Sequence, residues 1–201
     1  MRTLLTAAFA ALIALPAWGS GPARVDEPAP GFTLTSTDGK QFSLSEFRGK
    51  YVVLEWVNYD CPFVRKHYSS GHMQKLQATY TGKDVVWLSI CSSAPGKQGH
   101  FEGEDLTDRI VGEKAKPTAY LVDADGTVGR MYEAKTTPHM FVIGPDGVLL
   151  YAGAIDDIAS TDADDLAIAR NYVTAALDAA MAGKPVEVKT SKPYGCSVKY
   201  K

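Results

Sequence analysis

The sequence predicts an α/β fold with a central mixed sheet that helices flank and an N-terminal β-hairpin extends. Two short alternating runs flank Asp38-Gly39, and this dipeptide between such runs is a strong hairpin signal. Downstream, apolar strand-like runs alternate with amphipathic helical runs, a pattern that implies βαβ crossovers and parallel strands. A closing pair of strands hinged at residues 145–147 makes the predicted sheet mixed.

Length and charge narrow the class of protein. The chain has 201 residues, of which 45% are hydrophobic and 22% are charged, a balance typical of one globular domain. The formal net charge is -2, whereas a phosphate-binding surface normally shows a strong basic excess, so we expect no nucleic acid partner. Beyond the first residues no stretch is apolar enough to cross a membrane, so we expect no stable membrane insertion.

Residues 1–19 have the pattern of a secretory signal peptide. A positive start, "MR", precedes the apolar run "TLLTAAFAALIAL", which is too short to span a bilayer comfortably, and "PAWGS" ends that run with small residues. We expect cleavage between residues 19 and 23, and an uncleaved N-terminal anchor is the alternative. The mature chain is then secreted across the inner membrane into the periplasm, with one domain over residues 24–188 and a C-terminal tail over residues 189–201.

Strands and helices follow one another in a regular order after the hairpin. A continuous apolar run predicts a strand covered on both faces, and apolar residues at helical spacing predict an amphipathic helix. The last predicted helix begins at Thr161, a good N-cap with acidic residues in the first turn, and ends at Gly183. The other predicted elements are strands at 50–59, 84–91 and 118–123, helices at 63–80 and 104–115, a turn with a short helix at 123–134, and two strands within 136–156.

Cys61 falls where the strand at 50–59 gives way to the first helix, and Pro62 suits the first helical position. A thiol at a helix N-terminus lies near unpaired backbone N–H groups and the positive end of the helix dipole, and both favour the nucleophilic thiolate. Arg65, one turn later, adds to this effect if it folds back. The site also lies at the carboxyl end of a central strand, the edge where α/β proteins build their sites. The alternative is that Cys61 is a small buried core residue.

Thr137-Pro138 is a second candidate feature. It directly precedes the strand-like run "HMFVIG", and proline is permitted as the first residue of a strand. The peptide bond before Pro138 could be cis, although a plain trans turn is the better interpretation of this dipeptide taken alone. Together with Cys61 and the following "PDG" hairpin, the cis interpretation gains weight.

Three separated segments occur in the order "PAPGFTLTSTDGKQFSLSEFRGKYVVLEWV", "VVLEWVNYDCPFVRKHY" and "TTPHMFVIGPDGVLLYAG". Together they resemble the thioredoxin-fold redoxins, and most closely the peroxiredoxin-like branch of the alkyl hydroperoxide reductase and thiol-specific antioxidant superfamily. The resemblance implies a thioredoxin-like fold with an N-terminal extension. It also implies that Cys61 takes the place of the peroxidatic cysteine or of the first thioredoxin cysteine. Pro138, with Thr137, then forms the cis-proline loop packed against that cysteine.

The chain departs from both patterns of that superfamily. Peroxiredoxins carry Pro-x-x-x-Thr-x-x-Cys, and the corresponding positions here are Leu54 and Asn58, although Asn58 could still offer a polar group. Thioredoxins carry Cys-x-x-Cys, and here Val64 stands in the second place. A partner for Cys61 therefore has to come from elsewhere in the chain.

A second thiol is required whichever substrate Cys61 attacks. Attack on a peroxide produces a sulfenic acid and attack on a protein disulfide produces a mixed disulfide, and both products need a resolving thiol. Cys196 is the preferred candidate because it lies in a tail whose glycine and proline allow movement. Cys91 is the rival because it ends the neighbouring strand, although a buried strand residue is an equally good interpretation.

We expect an exported thiol-dependent oxidoreductase with peroxiredoxin-like antioxidant activity, which reduces peroxides through Cys61 and takes electrons from an unidentified thiol reductant. Thiol–disulfide exchange on exported proteins is the alternative. An alternative of another class is a non-catalytic copper-binding or partner-binding module, with Cys61 and His139 as metal ligands. Copper-binding members of the thioredoxin fold carry Cys-x-x-x-Cys, and the fourth residue after Cys61 is Arg65, so we expect no metal and no other cofactor.

Overall fold

Strands alternate with helices along residues 18–201, the part of the chain that this computed structural model describes. Its strands are β1 Thr33–Ser36, β2 Gln41–Ser43, β3 Val52–Trp56, β4 Val86–Cys91, β5 Ala119–Val122, β6 Thr136–Thr137, β7 His139–Ile143, β8 Leu149–Gly153 and β9 Cys196–Ser197. Its α-helices are α1 Pro62–Ser69, α2 His72–Thr81, α3 Gly103–Gly112, α4 Thr127–Met131 and α5 Tyr172–Met181. Short 3-10 helices lie at Leu44–Phe47 and Asp164–Ala167.

The central sheet has the strand order β2-β1-β5-β4-β3-β7-β8. Strands β3, β4 and β5 are parallel to one another, whereas β7 is antiparallel to β3, β8 to β7 and β1 to β5. The β1–β2 hairpin extends one edge. This mixed sheet with flanking helices confirms the predicted architecture. Strand β3 lies near the middle of this sheet. The loop that follows β3 starts at the carboxyl edge of the parallel strands.

Apolar side chains cover both faces of the sheet. Alternate residues of β7 show this division, since Met140 and Val142 belong to one buried cluster whereas Phe141 and Ile143 belong to the other. Cys61 belongs to the same cluster as Met140 and Val142. All residues of β3 and β4 are buried, which explains why these strands are continuous apolar runs interrupted only where a buried polar group is needed.

The helix predicted over residues 63–80 is wrong in extent. Residues 62–69 and 72–81 form two separate helices, α1 and α2. Gly71 interrupts them because it adopts a left-handed backbone conformation with φ of 75°. Apolar spacing does not reveal this break, since both helices bury residues on the same side of the sheet.

The start of the last helix is also wrong. Thr161 lies outside the helix, and α5 begins after Asn171, whose side chain accepts a hydrogen bond from the backbone N–H of Thr174. The chain before it folds back instead of continuing as a helix, because the backbone N–H of Arg170 donates to the carboxylate of Asp157 at 2.8 Å. Local hydrogen bonding at Asn171 therefore prevails over the good capping residue further upstream.

The C-terminal tail lies against the domain. The carbonyl of Lys189 accepts a hydrogen bond from Ala152 at 3.1 Å, and the carbonyl of Lys199 accepts one from Ala94 at 2.9 Å. Between these two contacts, β9 pairs antiparallel with β6. The pairing carries the last cysteine of the chain to the carboxyl edge of β3.

The predicted signal peptide falls mainly on residues 1–17, which lie outside the described part of the chain. From residue 18 onward the chain packs on the domain, since Gly19 N donates to Ala29 O at 2.9 Å and the Trp18 ring lies 4.2 Å from the Arg48 guanidinium. The domain boundaries at residues 24 and 188 stay predictions. Over residues 18–201, every helix is too short or too polar to cross a membrane.

Candidate active site

The loop after β3 places Cys61 at the N-cap of a helix, directly before its first residue. The side chain of Asn58 accepts the backbone N–H of Asp60 at 2.9 Å, and the carbonyl of Asn58 accepts the N–H of Cys61 at 3.0 Å. Cys61 is the N-cap residue of α1, with Pro62 at the first helical position. The sulfur therefore stands at the N-terminus of a helix, where unpaired N–H groups favour negative charge.

The Cys61 sulfur is buried between the loop before β7 and the C-terminal tail. Its solvent exposure is 0%. The thiol donates to the carbonyl of Thr137 at 3.1 Å, and the backbone N–H of Cys196 donates to the sulfur at 3.4 Å. The Thr137–Pro138 peptide bond is cis. The structure thus brings together Cys61, Thr137, Pro138 and Cys196, residues that lie far apart along the chain.

Burial raises the pKa of the Cys61 thiol, but the groups around the sulfur outweigh burial and hold that pKa below its usual value. These groups are the thiol and backbone N–H of Cys196, the backbone N–H of Val64 and the side chain of Thr137. The pKa of Cys196 changes in the opposite sense: burial, the hydrogen bond with Cys61 and the charge of Cys61 raise it to about 11. The pair therefore loses its first proton from Cys61, while Cys196 remains a thiol.

Cys91 lies at the end of β4 but makes different contacts. Its thiol donates to the carbonyl of Gly99 at 3.4 Å, in the loop that follows β4. The hydrogen bonds of the Cys61 sulfur go to Thr137 and Cys196. Of the two candidate partners named from the sequence, the structure brings only Cys196 into contact with the Cys61 sulfur.

Arg65 folds back, but toward a different acceptor from the one expected. Its Nε donates to the carbonyl of Tyr59 at 3.3 Å, and its guanidinium lies 3.8 Å from the carboxylate of Asp60. The side chain is 58% exposed. The expected contact with the Cys61 thiolate is therefore absent from the contacts of this side chain, because the carbonyl and the carboxylate of the preceding loop attract the guanidinium.

Asn58 is buried, and its side chain forms hydrogen bonds within the protein. Its Nδ2 donates to the carbonyl of Gln98 at 3.3 Å, while its Oδ1 accepts from Asp60. Gly99 allows this packing, because a Cβ at that position would lie 2.4 Å from the Asn58 side chain. Asn58 therefore shapes the loop that carries Cys61, and its amide is not directed at the sulfur.

His139 does not share a pocket with Cys61. Its ring packs against that of Phe141, with the centroids 4.5 Å apart, on the face of the sheet opposite Met140 and the Cys61 cluster. Its Nδ1 accepts the backbone N–H of Lys135 at 3.2 Å. Among residues 18–201, no group of three or more histidine, cysteine or acidic side chains could hold a metal ion. The copper site formed by Cys61 and His139 is therefore not supported.

Sequence reasoning missed Glu55, a fully buried carboxylate in the middle of β3. Burial raises its pKa, while four hydrogen-bond donors act in the opposite direction. A glutamate inside the apolar run "VVLEWV" is a signal that could have identified it, since a buried acid needs partners. The donors are Tyr68 Oη at 2.9 Å, Gln77 Nε2 at 3.1 Å, Trp87 Nε1 at 2.8 Å and Ser89 Oγ at 3.0 Å.

The residues that hold the tail were also missed. Tyr194 Oη donates to the buried carboxylate of Asp156, and the Tyr194 ring packs on Phe63 of α1 with centroids 5.8 Å apart. Gly195 passes so close to Thr137 that a Cβ would lie 2.1 Å from its carbonyl oxygen. The sequence places these residues in three distant segments, and only the fold joins them.

Comparison with known proteins identifies the family of this chain. The family model described as AhpC/TSA family matches residues 25–152. A thiol peroxidase of Mycobacterium tuberculosis is 28% identical over 151 residues, which cover 72% of this chain and 86% of that protein. The thiol-disulfide oxidoreductase ResA of Bacillus subtilis is 24% identical over 119 residues, 59% of this chain and 61% of that protein.

A solved structure also shares the fold. The crystal structure of an uncharacterized conserved protein from Geobacillus kaustophilus superposes with a TM-score of 0.74 at 27% identity, covering 89% of this chain and 93% of that one. The mixed sheet with its flanking helices is a thioredoxin-like fold, in which the cysteine at the N-terminus of α1 lies beside the cis-proline loop. The chain therefore belongs to the AhpC/TSA family and is a thiol-dependent oxidoreductase.

Proposed function

We propose that this protein reduces peroxides with the cysteine pair Cys61 and Cys196. The observation that carries the proposal is that Cys196 donates its backbone N–H to the buried Cys61 sulfur at 3.4 Å. A sulfenic acid on Cys61 would form next to the thiol that resolves it. The helix N-terminus and the depressed pKa of Cys61 assign the attacking role to Cys61, and the raised pKa of Cys196 assigns it the resolving role.

Two steps complete the proposed half-reaction. The Cys61 thiolate attacks a peroxide oxygen, an S–O bond forms, the O–O bond breaks, and the leaving alkoxide or hydroxide takes a proton from water. The Cys196 thiol then attacks the Cys61 sulfur, an S–S bond forms, the S–O bond breaks, and water leaves with the Cys196 proton. Two electrons pass to the peroxide, and an external thiol reductant returns the pair to the dithiol.

Burial of Cys61 favours a small substrate. With the tail docked, the sulfur has no exposed surface that a folded protein could approach. A peroxide is small enough to enter after a slight movement of the tail. The name of the thiol peroxidase relative agrees with this class of substrate.

Thiol–disulfide exchange is the second candidate, and the position of Arg65 favours it. Among the described residues, the contacts of the Cys61 sulfur include no guanidinium that could polarise a peroxide, since Arg65 donates to the Tyr59 carbonyl instead. Exchange needs only a thiolate and a resolving thiol, both of which this pair supplies. The oxidoreductase relative of Bacillus subtilis is named for that activity.

Mass spectrometry after one equivalent of hydrogen peroxide separates the two candidates. We expect a sulfenic acid on Cys61 that forms much faster than on free cysteine, followed by a Cys61–Cys196 disulfide. Cys61→Ser should abolish both products, Cys196→Ser should accumulate the sulfenic acid, and Cys91→Ser should behave as the wild type. A reaction no faster than that of free cysteine would reject peroxide reduction, and rapid reduction of a protein disulfide would then support exchange.

Export of the chain is a further part of the proposal. It rests on the charged start and short apolar run of residues 1–19. Expression in a Gram-negative host, followed by intact mass measurement of the periplasmic fraction, should give a chain that begins between residues 20 and 24. A full-length chain confined to the cytoplasm would contradict it.

A further inference from the structure

The C-terminal tail is held at Tyr194, two residues before Cys196. Tyr194 Oη donates to Asp156, and its ring packs on Phe63, which lies two positions after Cys61 in the chain. After Gly195, the backbone of Cys196 pairs with Thr137 in the β6–β9 ribbon. The tail is therefore fixed on both sides of Gly195, once through a side chain and once through the backbone.

Asp156 is a rigid acceptor for this contact. It is 1% exposed, and the oxygen that accepts from Tyr194 also accepts the backbone N–H of Ile158 at 3.1 Å. Its other oxygen lies 3.9 Å from Nε2 of the buried His67, and neither of these two atoms has a hydrogen-bond partner among the described residues. A hydrogen bond from a neutral phenol to a buried carboxylate is stronger than one between two neutral groups.

We propose that Tyr194 and Asp156 are positioning residues for Cys196. Their hydrogen bond holds the tail in the position in which the backbone N–H of Cys196 reaches the Cys61 sulfur. Without it, the ribbon and the contacts beyond it hold Cys196 from one side, and on the other side the nearest remaining hydrogen bonds of the tail are those of Ser191, five residues upstream. This inference rests on the proposed function, because it assigns to the pair the preparation of the resolving step.

The same contact controls access to Cys61. The sulfur of Cys61 is fully buried, whereas Cys196, which covers it, is half-buried. Loosening the tail should therefore expose Cys61 and, at the same time, remove the donors that stabilise its thiolate. These two effects act differently on alkylation: exposure raises the plateau rate, and loss of the donors raises the pH at which the thiolate forms.

The titratable groups around the Tyr194–Asp156 hydrogen bond do not obscure the pH dependence of Cys61 alkylation. His67 faces Asp156 and His72 faces His67, and burial lowers the pKa of both histidines, that of His67 to about 3. Both rings are therefore neutral throughout an alkaline titration. The charge of Lys199 partly opposes the rise in the pKa of Cys196, and Lys199 is present in every variant used.

The test compares Tyr194→Phe with Tyr200→Phe, in chains that also carry Cys91→Ser. Tyr200 is a matched control because it lies in the same tail and its phenol also donates a hydrogen bond to the domain, to the carbonyl of Ala134 at 2.8 Å. Iodoacetamide labelling of Cys61 is followed by peptide mass spectrometry as a function of pH. For Tyr194→Phe we expect the midpoint to rise by about one pH unit and the plateau rate to increase several-fold. Tyr200→Phe should leave both values unchanged.

A second measurement follows the disulfide itself. After one equivalent of hydrogen peroxide, Tyr194→Phe should convert the Cys61 sulfenic acid to the Cys61–Cys196 disulfide about tenfold more slowly than the control. Asp156→Asn should keep most of the wild-type rate, since its amide oxygen can still accept from Tyr194. Equal midpoints and equal disulfide rates in the two tyrosine variants would overturn the proposal.

The two hypotheses fail in different ways. If the wild type forms no sulfenic acid, peroxide reduction is rejected, but the alkylation midpoints still show whether Tyr194 positions Cys196. If the sulfenic acid forms and the tyrosine variants are alike, the positioning role is rejected and the peroxidase proposal stands.

Discussion

Gly195→Ala should disconnect the two cysteines without removing either of them. Gly195 has φ of 130°, a conformation that residues with a side chain rarely adopt. Its added Cβ would lie 2.1 Å from the carbonyl oxygen of Thr137, and real Cβ contacts essentially never fall below 3.0 Å. The obstacle is backbone on both sides, so no side chain can rotate away to relieve it.

The size of the effect follows from this geometry. The tail must move by 3.0 − 2.1, about 0.9 Å, away from Thr137. If the movement is directed away from Cys61, the 3.4 Å contact between Cys196 N and the Cys61 sulfur lengthens to about 4.3 Å and its hydrogen bond is lost. A hydrogen bond to a charged acceptor contributes about 1.5–3 kcal/mol. We therefore expect disulfide formation to slow by about tenfold or more.

The assay is the rate of the Cys61–Cys196 disulfide after one equivalent of hydrogen peroxide, followed by quenched-flow mass spectrometry. Gly183→Ala is the matched control, because Gly183 also has a positive φ, of 68°, but nothing lies within 4 Å of its Cβ position. Gly183→Ala carries a backbone penalty of about 1–2 kcal/mol, whereas Gly195→Ala adds the collision with Thr137 to its own backbone strain. Disulfide rates within twofold of each other in the two variants would refute this reasoning.

Three further predictions concern stability and reactivity. Glu55→Ala removes the shared acceptor of four buried donors, of which Gln77 Nε2 keeps Tyr68 Oη as a partner, so urea denaturation should show that the free energy of unfolding falls by about 3 kcal/mol or more, and a fall below about 1 kcal/mol would contradict the network. Burial and the charge of Lys135 lower the pKa of His139 to about 3. The unfolded chain therefore binds that proton first, and His139 contributes stability above pH 6.5 that is lost as the pH falls. His139→Phe should reduce the loss of unfolding free energy between pH 7 and pH 5 by about 2 kcal/mol, and an unchanged pH slope would contradict this. Arg65→Ala should change the alkylation rate of Cys61 by less than about twofold, because the guanidinium bonds the preceding loop, and a tenfold drop would show a contact with the thiolate that the structure lacks.

Local patterns carried much of the fold. Alternation around Asp38-Gly39, buried apolar runs and helical spacing predicted the hairpin, the strands and their order, because each depends on neighbouring residues. The two errors concern helix boundaries. The left-handed conformation of Gly71 ends one helix early, and the Asn171 cap, not Thr161, starts the last one. Such a shift of a helix boundary hardly changes the pattern of apolar residues, so the pattern does not reveal it.

The site divides in the same way. Cys61 with Pro62 at a strand-to-helix junction, and Thr137-Pro138 before a strand, are short-range signals, and the structure brings both features to one point. The direction of the Arg65 side chain was not predictable, because a long flexible side chain goes to whichever acceptor lies nearest, here the Tyr59 carbonyl.

The sequence by itself determined that one cysteine, Cys61, stands at the start of a helix without a local partner, since Val64 occupies the neighbouring position. Only the tertiary structure decided which of the other two cysteines contacts it. Cys196 is 135 residues away along the chain, and its contact depends on the Tyr194–Asp156 hydrogen bond, on the ribbon with Thr137 and on the missing side chain of Gly195. Each of these contacts joins segments that lie far apart in the sequence, and the sequence separation of two segments does not give their distance in the folded chain. For that reason no spacing rule could choose between Cys91 and Cys196, whereas the folded chain brings only Cys196 to the Cys61 sulfur.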